Sequence, residues 1–359
     1  MIETIYIVRH AFRSNWDVNS QTGVYTANTR TPTGIPTDPA LAAHGVAQAV
    51  ELAEYLCSIE PPVHRIYSSP FYRCLQTLKP TTERLFKEGR GGRKIRIDRG
   101  VGEFFGRADF EHPAPPSVEI LNEHFRDLDQ NYVSVHIPPA NGEWLSELHQ
   151  RVTMALTKIV TDLDDDPEQP KTLLICTHAA TMIAAGRALT GKIPADLNED
   201  DFQCYTASLS KYVRRDPELE KGVAGNWDCV LNSETGYLSG GAERGWKFNG
   251  EESFVAFPED TQREAHVYVT AYLASALRRL LLGGRLSTQH VVHLHSKVSS
   301  TSDRQSNSAT CGRLPATSVH LNPPKRFAPD HQFQSPVVQF PASILPIVIL
   351  ETLFYTTGP

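Results

Sequence analysis

The sequence has no surplus of positive charge. Its 35 lysines and arginines stand against 41 aspartates and glutamates, a formal net charge of -6. That balance removes the electrostatic ground for direct nucleic-acid binding or adhesion to an anionic membrane. Paired cysteines are missing too: Cys57, Cys74, Cys176, Cys204, Cys229 and Cys311 are scattered without a CxxC. This excludes the usual thiolate zinc sites, and such thiols in a long chain read as reduced. The opening MIETIYIVRH lacks a basic region ahead of an uncharged apolar stretch, so it does not read as a signal peptide. The late apolar run 337–355 is broken by Pro341 and Pro346 and carries Glu351, which makes it a poor membrane span. No Asn-x-Ser/Thr sequon occurs. A cytoplasmic or nuclear setting with no membrane contact is expected.

Apolar material is sufficient for a sizeable core: 40% of the 359 residues are hydrophobic. At about 150 residues per domain this length suits two domains, or one large domain with an appendage. Composition divides the chain near Phe257. Residues 1–257 hold 26 basic and 35 acidic groups, whereas 258–359 hold 9 basic and 6 acidic. The second part includes SKVSSTSDRQSNS (296–308), six of whose thirteen residues are serine, a linker-like or disordered composition. The expected organisation is a domain over 1–257 and a mostly disordered extension over 258–359. Within the extension, Val269, Tyr272, Leu273, Ala276, Leu277, Leu280 and Leu281 recur at helical spacing. They suit a helix over 263–283 packed on the main domain, with docking of a protein partner as the sharper alternative. His290, His293 and His295 alternate without a nearby carboxylate or cysteine and make a poor metal site.

The first part alternates two periodicities. Thr4–Val8, His64–Tyr67, Lys94–Ile97 and Thr172–Cys176 read as strands. Helical spacing joins Val46, Ala49, Val50, Ala53 and Leu56, then Leu145, Leu148, Val152, Ala155, Leu156 and Ile159, then Ala180 to Leu189. Ser69 and Pro70 suit the cap and first position of a further helix. Strands alternating with helices imply a three-layer α/β/α sandwich with a mostly parallel sheet. Sites in such sheets form beyond the carboxyl ends of the strands.

Three of those ends carry related residues. Val8 is followed by Arg9, His10 and Arg13; Ser68-Ser69-Pro70 by Arg73; Cys176 by Thr177 and His178. Helix N-termini and the arginine forks of Arg9, Arg13 and Arg73 suit a phosphate dianion. A neutral imidazole is a competent nucleophile toward phosphorus, and a second one can donate to the equatorial oxygens. A leaving alkoxide also needs a proton, and Glu103 is the best-placed carboxyl, with Glu111 and Glu143 as nearby alternatives. Asp162, Asp164, Asp165 and Asp166 read as a solvated loop ahead of Pro167.

At these positions the chain resembles the histidine phosphatase, or phosphoglycerate mutase-like, superfamily. The resemblance rests on Ile7-Val8-Arg9-His10, Asp38-Pro39-Ala40-Leu41, His44 to Ala49, Tyr67-Ser68-Ser69-Pro70, Arg73 to Thr77, Asn141-Gly142-Glu143 and Thr177-His178-Ala179-Ala180. It spans about residues 1–255. It implies a phosphohistidine on His10, phosphoryl binding by Arg9, Arg73 and His178, an acidic proton donor, and neither metal nor cofactor. Arg9 to Trp16 is most similar to a fungal branch that includes the phosphatase-like domain of a small tau subunit of the RNA polymerase III factor TFIIIC. Two departures stand out: Ala11 and Ala179 follow the histidines where the family usually has glycine. Alanine fits there only at negative φ.

Three functions follow as expectations. The first is a metal-independent phosphomonoester hydrolase acting on a small molecule or phosphoprotein. The second is a weakly active or non-catalytic interaction module in an RNA polymerase III factor. The third is a mutase-type phosphotransferase, which would need a pocket closed to water. The insert 15–39 and the segment 104–139 are expected to shape the pocket mouth, with Arg30, Arg107 and His112 as selectivity groups.

Overall fold

The computed structural model describes residues 1–216, 223–249 and 253–255. The chain divides into two units, Met1–Arg285 and Leu286–Pro359, and every described residue lies in the first. The boundary at 257, the helix at 263–283, the histidines at 290–295 and the extension lie outside the described residues.

In chain order the elements are β1 (Thr4–Arg9), β2 (Trp16–Asn19), β3 (Val24–Ala27), α1 (Ala43–Ser58), β4 (Arg65–Ser68) and α2 (Tyr72–Lys87). Then come β5 (Ile95–Ile97), α3 (Val118–Asn122), α4 (Leu145–Asp164), β6 (Thr172–Thr177), α5 (Ala179–Thr190), β7 (Leu209–Arg214) and β8 (Trp227–Glu234). The main sheet has the order β5-β4-β6-β1-β7-β8. Its first four strands are mutually parallel; β7 pairs antiparallel with β1, and β8 antiparallel with β7. β2 and β3 form a separate hairpin.

Alternation along β1 explains the layers. Ile5 and Ile7 point to one face, where Leu173 and Ile175 of β6 meet Leu148, Val152, Leu156 and Ile159 of α4 and Ile183 of α5. Tyr6 and Val8 point to the other, where Ile66, Leu174 and Cys176 meet Leu52 and Leu56 of α1 and Leu75 and Leu78 of α2. Strands apolar on both faces need a helical layer on each side, and each fully buried Leu or Ile contributes about 1.5–3 kcal/mol. The result is the expected α/β/α sandwich. No helix among the described residues is long and apolar enough to cross a membrane.

Two local expectations change. Ser69 does not cap α2, which begins at Tyr72 with Phe71 in the cap position; the Tyr72 N–H donates instead to Asp38 Oδ1 at 2.8 Å. Phe71 has no side-chain acceptor of its own, so a distant carboxylate does the capping. The acidic cluster is not a loop throughout. Asp162 and Asp164 lie in α4, where Asp162 pairs with Lys158 and Asp164 accepts from Ile2 N and from Arg214 Nη2 at 2.9 Å.

One glycine fixes how α1 meets the chain after β1. A Cβ at Gly45 would overlap the Phe12 carbonyl oxygen, which accepts the Ala42 N–H at 3.0 Å. Gly45→Ala is therefore expected to cost about 1–3 kcal/mol of stability, the usual range for overpacking a tight contact. Urea denaturation checks this; an unchanged midpoint would show that α1 can sit further out at no cost.

Candidate active site

The four parallel strands end side by side, so the segments that follow them converge. His10 N donates to Thr177 O, Ser69 N to Cys176 O and Asp98 N to Ser68 O, each at 2.9 Å. These bonds carry the strand register past the strand ends and fix where the next side chains point. His10 leaves β1, Arg73 lies in the first turn of α2, Glu103 follows β5, and His178 caps α5.

Those four side chains meet. The His10 and His178 ring centroids are 5.2 Å apart at 63°. Glu103 Oε2 accepts from Arg73 Nη2 at 2.8 Å and lies 3.1 Å from His178 Nδ1. Arg73 Nη2 sits 3.3 Å from that same Nδ1. Arg73 Nη1 donates to Thr37 O at 3.0 Å and lies 3.6 Å from Asp38 Oδ1. Arg9 Nη1 donates to the carbonyls of Cys204 and Arg244, both at 2.6 Å. Among the described residues, the buried Nε atoms of Arg9 and Arg73 have no hydrogen-bond partner. Arg99, Arg107 and Arg214 bury an unpartnered Nε as well, so the orphaned donors are not peculiar to this cluster.

Tautomers follow from the partners. His10 Nδ1 lies 2.8 Å from the Ala11 carbonyl, which can only accept, so Nδ1 carries the proton and Nε2 the lone pair. Burial, and then the charges of Arg73, His178, Arg9 and Arg13, hold His10 well below the ordinary imidazole range. For His178, burial works against the charged form. The Cys74 sulfur and the Glu103 carboxylate outweigh it and raise His178 above its ordinary value. Its Nδ1–H then points at Glu103 and its Nε2–H at Ser69 Oγ, 2.7 Å away. Burial also opposes ionisation of Glu103, yet His178, Arg73 and His10 hold its carboxyl well below the usual range. The two rings, 5.2 Å apart, are thus pushed in opposite directions, His10 away from the charged form and His178 toward it.

The backbone after each histidine accepts alanine. Neither Ala11 nor Ala179 is among the non-glycine residues with positive φ. Ala11 is buried, and its N–H donates to Thr77 Oγ1 at 2.9 Å.

The remaining candidates separate clearly. Arg13 donates to the Ser14 carbonyl at 2.9 Å and stacks 5.6 Å from the Trp16 ring. Burial and the nearby Arg73, Arg9 and Arg244 push it down to about 10, so it borders the site without a bond to the four central groups. Glu111 is exposed. Glu143 is buried against Arg151, whose Nε and Nη2 both donate to it at 2.8 Å. Arg151 Nη1 also donates to Gly100 O at 2.9 Å, so this pair braces the loop that delivers Glu103. Arg30 is exposed. Arg107 is engaged by Asn141 and Glu147, and His112 by the Tyr25 hydroxyl and Gly106 O.

Asp38, Ser69, Thr37 and Arg151 bear on the site and were not assigned from sequence. Asp38 and Ser69 left a signal there, inside the Asp38–Leu41 and Tyr67–Pro70 motifs, whereas Thr37 and Arg151 left none. His10, Glu103 and His178 offer ligand atoms within 4.8 Å of one another, a grouping that could in principle take a metal ion. The surrounding arginines make a cation the less favoured guest.

Glu143→Gln would leave the Arg151 guanidinium buried against a neutral partner. A loss of about 3 kcal/mol is expected from breaking such a pair, measured by urea unfolding. A loss under about 0.5 kcal/mol, the scale of an ordinary surface substitution, would remove Arg151 as a brace.

Comparison with known proteins agrees with this geometry. The histidine phosphatase superfamily (branch 1) matches residues 5–222. The transcription factor tau 55 kDa subunit of Saccharomyces cerevisiae is 31% identical over 270 residues, covering 69% of this chain and 59% of that protein. The ecdysteroid-phosphate phosphatase of Drosophila melanogaster is 27% identical over 168 residues, 47% of this chain and 22% of that protein. This chain therefore spans well under two thirds of either relative. A solved structure of the ecdysone phosphate phosphatase from Bombix mori, in complex with tungstate, covers 65% of this chain and 96% of its own, at TM-score 0.46 and 18% identity. Because the family match runs from β1 past β7, across every strand end that supplies the cluster, this chain belongs to branch 1 of the histidine phosphatase superfamily.

Proposed function

We propose that this chain hydrolyses phosphomonoesters through a phosphohistidine on His10. The observation that carries the reading is the tautomer of His10, pinned by the Ala11 carbonyl so that Nε2 holds the lone pair, with the His178 ring 5.2 Å away. The Arg73 guanidinium and the His178 ring beside His10, with the Arg9 charge close enough to act on it, support a tetrahedral anion there.

The chemistry runs in two halves. The Nε2 lone pair attacks phosphorus, the bond from phosphorus to the leaving oxygen breaks, and Glu103 gives its proton to that oxygen. Water then attacks the phosphohistidine and returns a proton to Glu103. The N–P bond breaks, freeing inorganic phosphate and neutral His10. Glu103 is ionised while it neutralises Arg73 and His178. A phosphoryl dianion competes for the same two cations and adds its own negative charge, which raises the carboxyl toward the protonated form that a general acid needs. Arg9, Arg73 and cationic His178 stabilise the charge on the equatorial oxygens.

Hydrolysis of p-nitrophenyl phosphate by the full chain, against His10→Ala, tests the proposal. Loss of activity in the variant is expected; equal rates would sink the enzyme reading. Glu103→Gln should lower kcat on both substrates, because Arg73 and His178 lose their shared anion, but about 100-fold further on phenyl phosphate than on p-nitrophenyl phosphate, whose leaving group hardly needs a proton. Equal losses on both would remove Glu103 as the acid.

The pH profile of kcat/KM follows from the two histidines. His10 must be neutral and is depressed, so activity should persist as pH falls through about 6.5, the ordinary histidine value, and be lost only below it. His178 must be charged and is raised, so the alkaline loss should begin above about 6.5. An acid limb centred at an ordinary histidine midpoint would contradict the assignment.

A second reading is favoured by the 31% identity to the yeast tau subunit: a phosphatase-like module in an RNA polymerase III factor, working in the nucleus. Inactivity of the wild-type chain on both aryl phosphates, together with co-purification with the other subunits of that factor, would select it over the hydrolase. The mutase alternative predicts phosphoryl return to a bound alcohol faster than to water.

A further inference from the structure

We infer that Arg244 forms a second anion-binding position at the rim of the site, so that the preferred substrates are phosphomonoesters bearing another negative group on the leaving-group side. This rests on the phosphatase reading of the same site and goes on to name its substrate class.

Arg244 arrives from far along the chain, yet it is bonded into the site wall. Its carbonyl accepts Arg9 Nη1 at 2.6 Å. Its guanidinium lies 3.9 Å from the Phe12 ring centroid, and its Nη1 donates to Asn15 Oδ1 at 3.3 Å. Phe12 and Asn15 belong to the loop that follows His10. The segment around Arg244 is held on both sides. Glu243 pairs with His44 at 2.7 Å and takes Gln48 Nε2 at 3.3 Å, and its carbonyl accepts Thr206 N at 3.0 Å. On the other side, Cys204 Sγ donates to Trp246 O at 3.0 Å. Between these anchors Arg244 has φ 46°, a left-handed conformation uncommon for a side-chain-bearing residue. Such a conformation persists where surrounding contacts over-determine it, and it clusters at functional sites.

The charge is unanswered. Arg244 is exposed and has no carboxylate partner among the described residues, because the adjacent Glu243 is committed to His44. Arg13, with its one bond to the Ser14 carbonyl, likewise has none. Arg244 is close enough to act on both Arg9 and Arg13. Four guanidiniums and His178 thus gather around a site whose bonded carboxylates are Glu103 and Asp38. A phosphoryl dianion answers part of this excess. Once Glu103 takes up its proton, positive charge remains at the rim, on the side of Phe12 and Asn15. Its complement is an anion carried by the leaving group, a carboxylate or a second phosphate.

The test compares kcat/KM of the full chain for phenyl phosphate, 3-carboxyphenyl phosphate and 1,3-phenylene bisphosphate. Wild type should favour the anion-bearing esters by about fivefold, the scale of one partly exposed charge pair. The carboxylate and bisphosphate arms distinguish the two anions. Arg244→Gln should bring the ratio to about one, and Arg244→Lys should keep part of it, because a point charge survives without the fork. Raising salt from about 0.05 M to about 0.5 M should erode the wild-type ratio. A wild-type ratio at or below one, or a ratio that survives Arg244→Gln, overturns the inference. If no ester is turned over at all, the hydrolase reading fails separately. Calorimetric binding of phenylphosphonate against 3-carboxyphenylphosphonate then decides the second position: tighter binding of the latter, lost in Arg244→Gln, supports it, and equal binding overturns it.

Discussion

The Glu103 carboxylate, shared between Arg73 and His178, is the contact on which the site depends. It brings an Arg73 nitrogen to 3.3 Å from His178 Nδ1 in a buried position. The Arg73 charge works against protonation of His178, and the Glu103 carboxylate opposes that effect. With the Cys74 sulfur, the same carboxylate therefore pushes His178 up, and His178 in turn helps depress His10. Nucleophile, anion binder and acid are not three independent assignments but one coupled arrangement.

Such a cluster needs walls that do not yield, and the structure builds them from other buried ions. Arg151 is clamped by Glu143 and reaches the Gly100 carbonyl, fixing the loop ahead of Glu103. Asp98, fully buried, accepts from Gly100 N at 2.6 Å and from the Tyr132 hydroxyl at 2.5 Å. Asp38 caps α2 from outside, so the Tyr72 N–H is already taken and cannot serve an incoming anion. What reaches an anion on the α2 side is the Arg73 guanidinium, while α5 still presents its N-terminus beside His178. Buried ion pairs of this kind add little net stability against well-packed apolar residues, but removing one partner is expensive. Their use here is positional.

Much of this was legible in the sequence because it was local. Thr4–Val8 and Thr172–Cys176 are apolar on both faces, which demands helices on both sides and hence parallel pairing. His10 and His178 follow directly on those strands, so their convergence follows from the topology alone. Glu103 is the best-placed carboxyl in the sequence too, but the reason Glu143 is taken is not visible there, because it lies in Arg151, whose partners are 8 and 51 residues away. Ser69 was misread as a cap for a related reason: its hydroxyl had a better partner in His178, 109 residues on. Asp38 caps α2 across 34 residues, and Arg244 meets Arg9 across 235. Periodicity and turn chemistry report on neighbours in sequence; a charge that pairs across the fold leaves no such trace.

The alanines after the two histidines bear on whether the chemistry survives. Glycine would be required only if the backbone had to adopt positive φ or approach the anion more closely than a Cβ permits. Ala11 does neither: its φ is negative, its N–H is spent on Thr77, and its carbonyl holds the His10 tautomer. The methyl group packs with Leu41, Ala49, Ala207 and Leu238, away from the cluster of ionised groups. The alanine therefore fits a small apolar core and leaves the contacts among His10, Arg73, Glu103 and His178 in place. The unpartnered Nε atoms of Arg9 and Arg73 do not decide the matter, since Arg99, Arg107 and Arg214 bury theirs in the same way; what sets this cluster apart is that two histidines, an arginine and a carboxylate from separate strand ends meet in it.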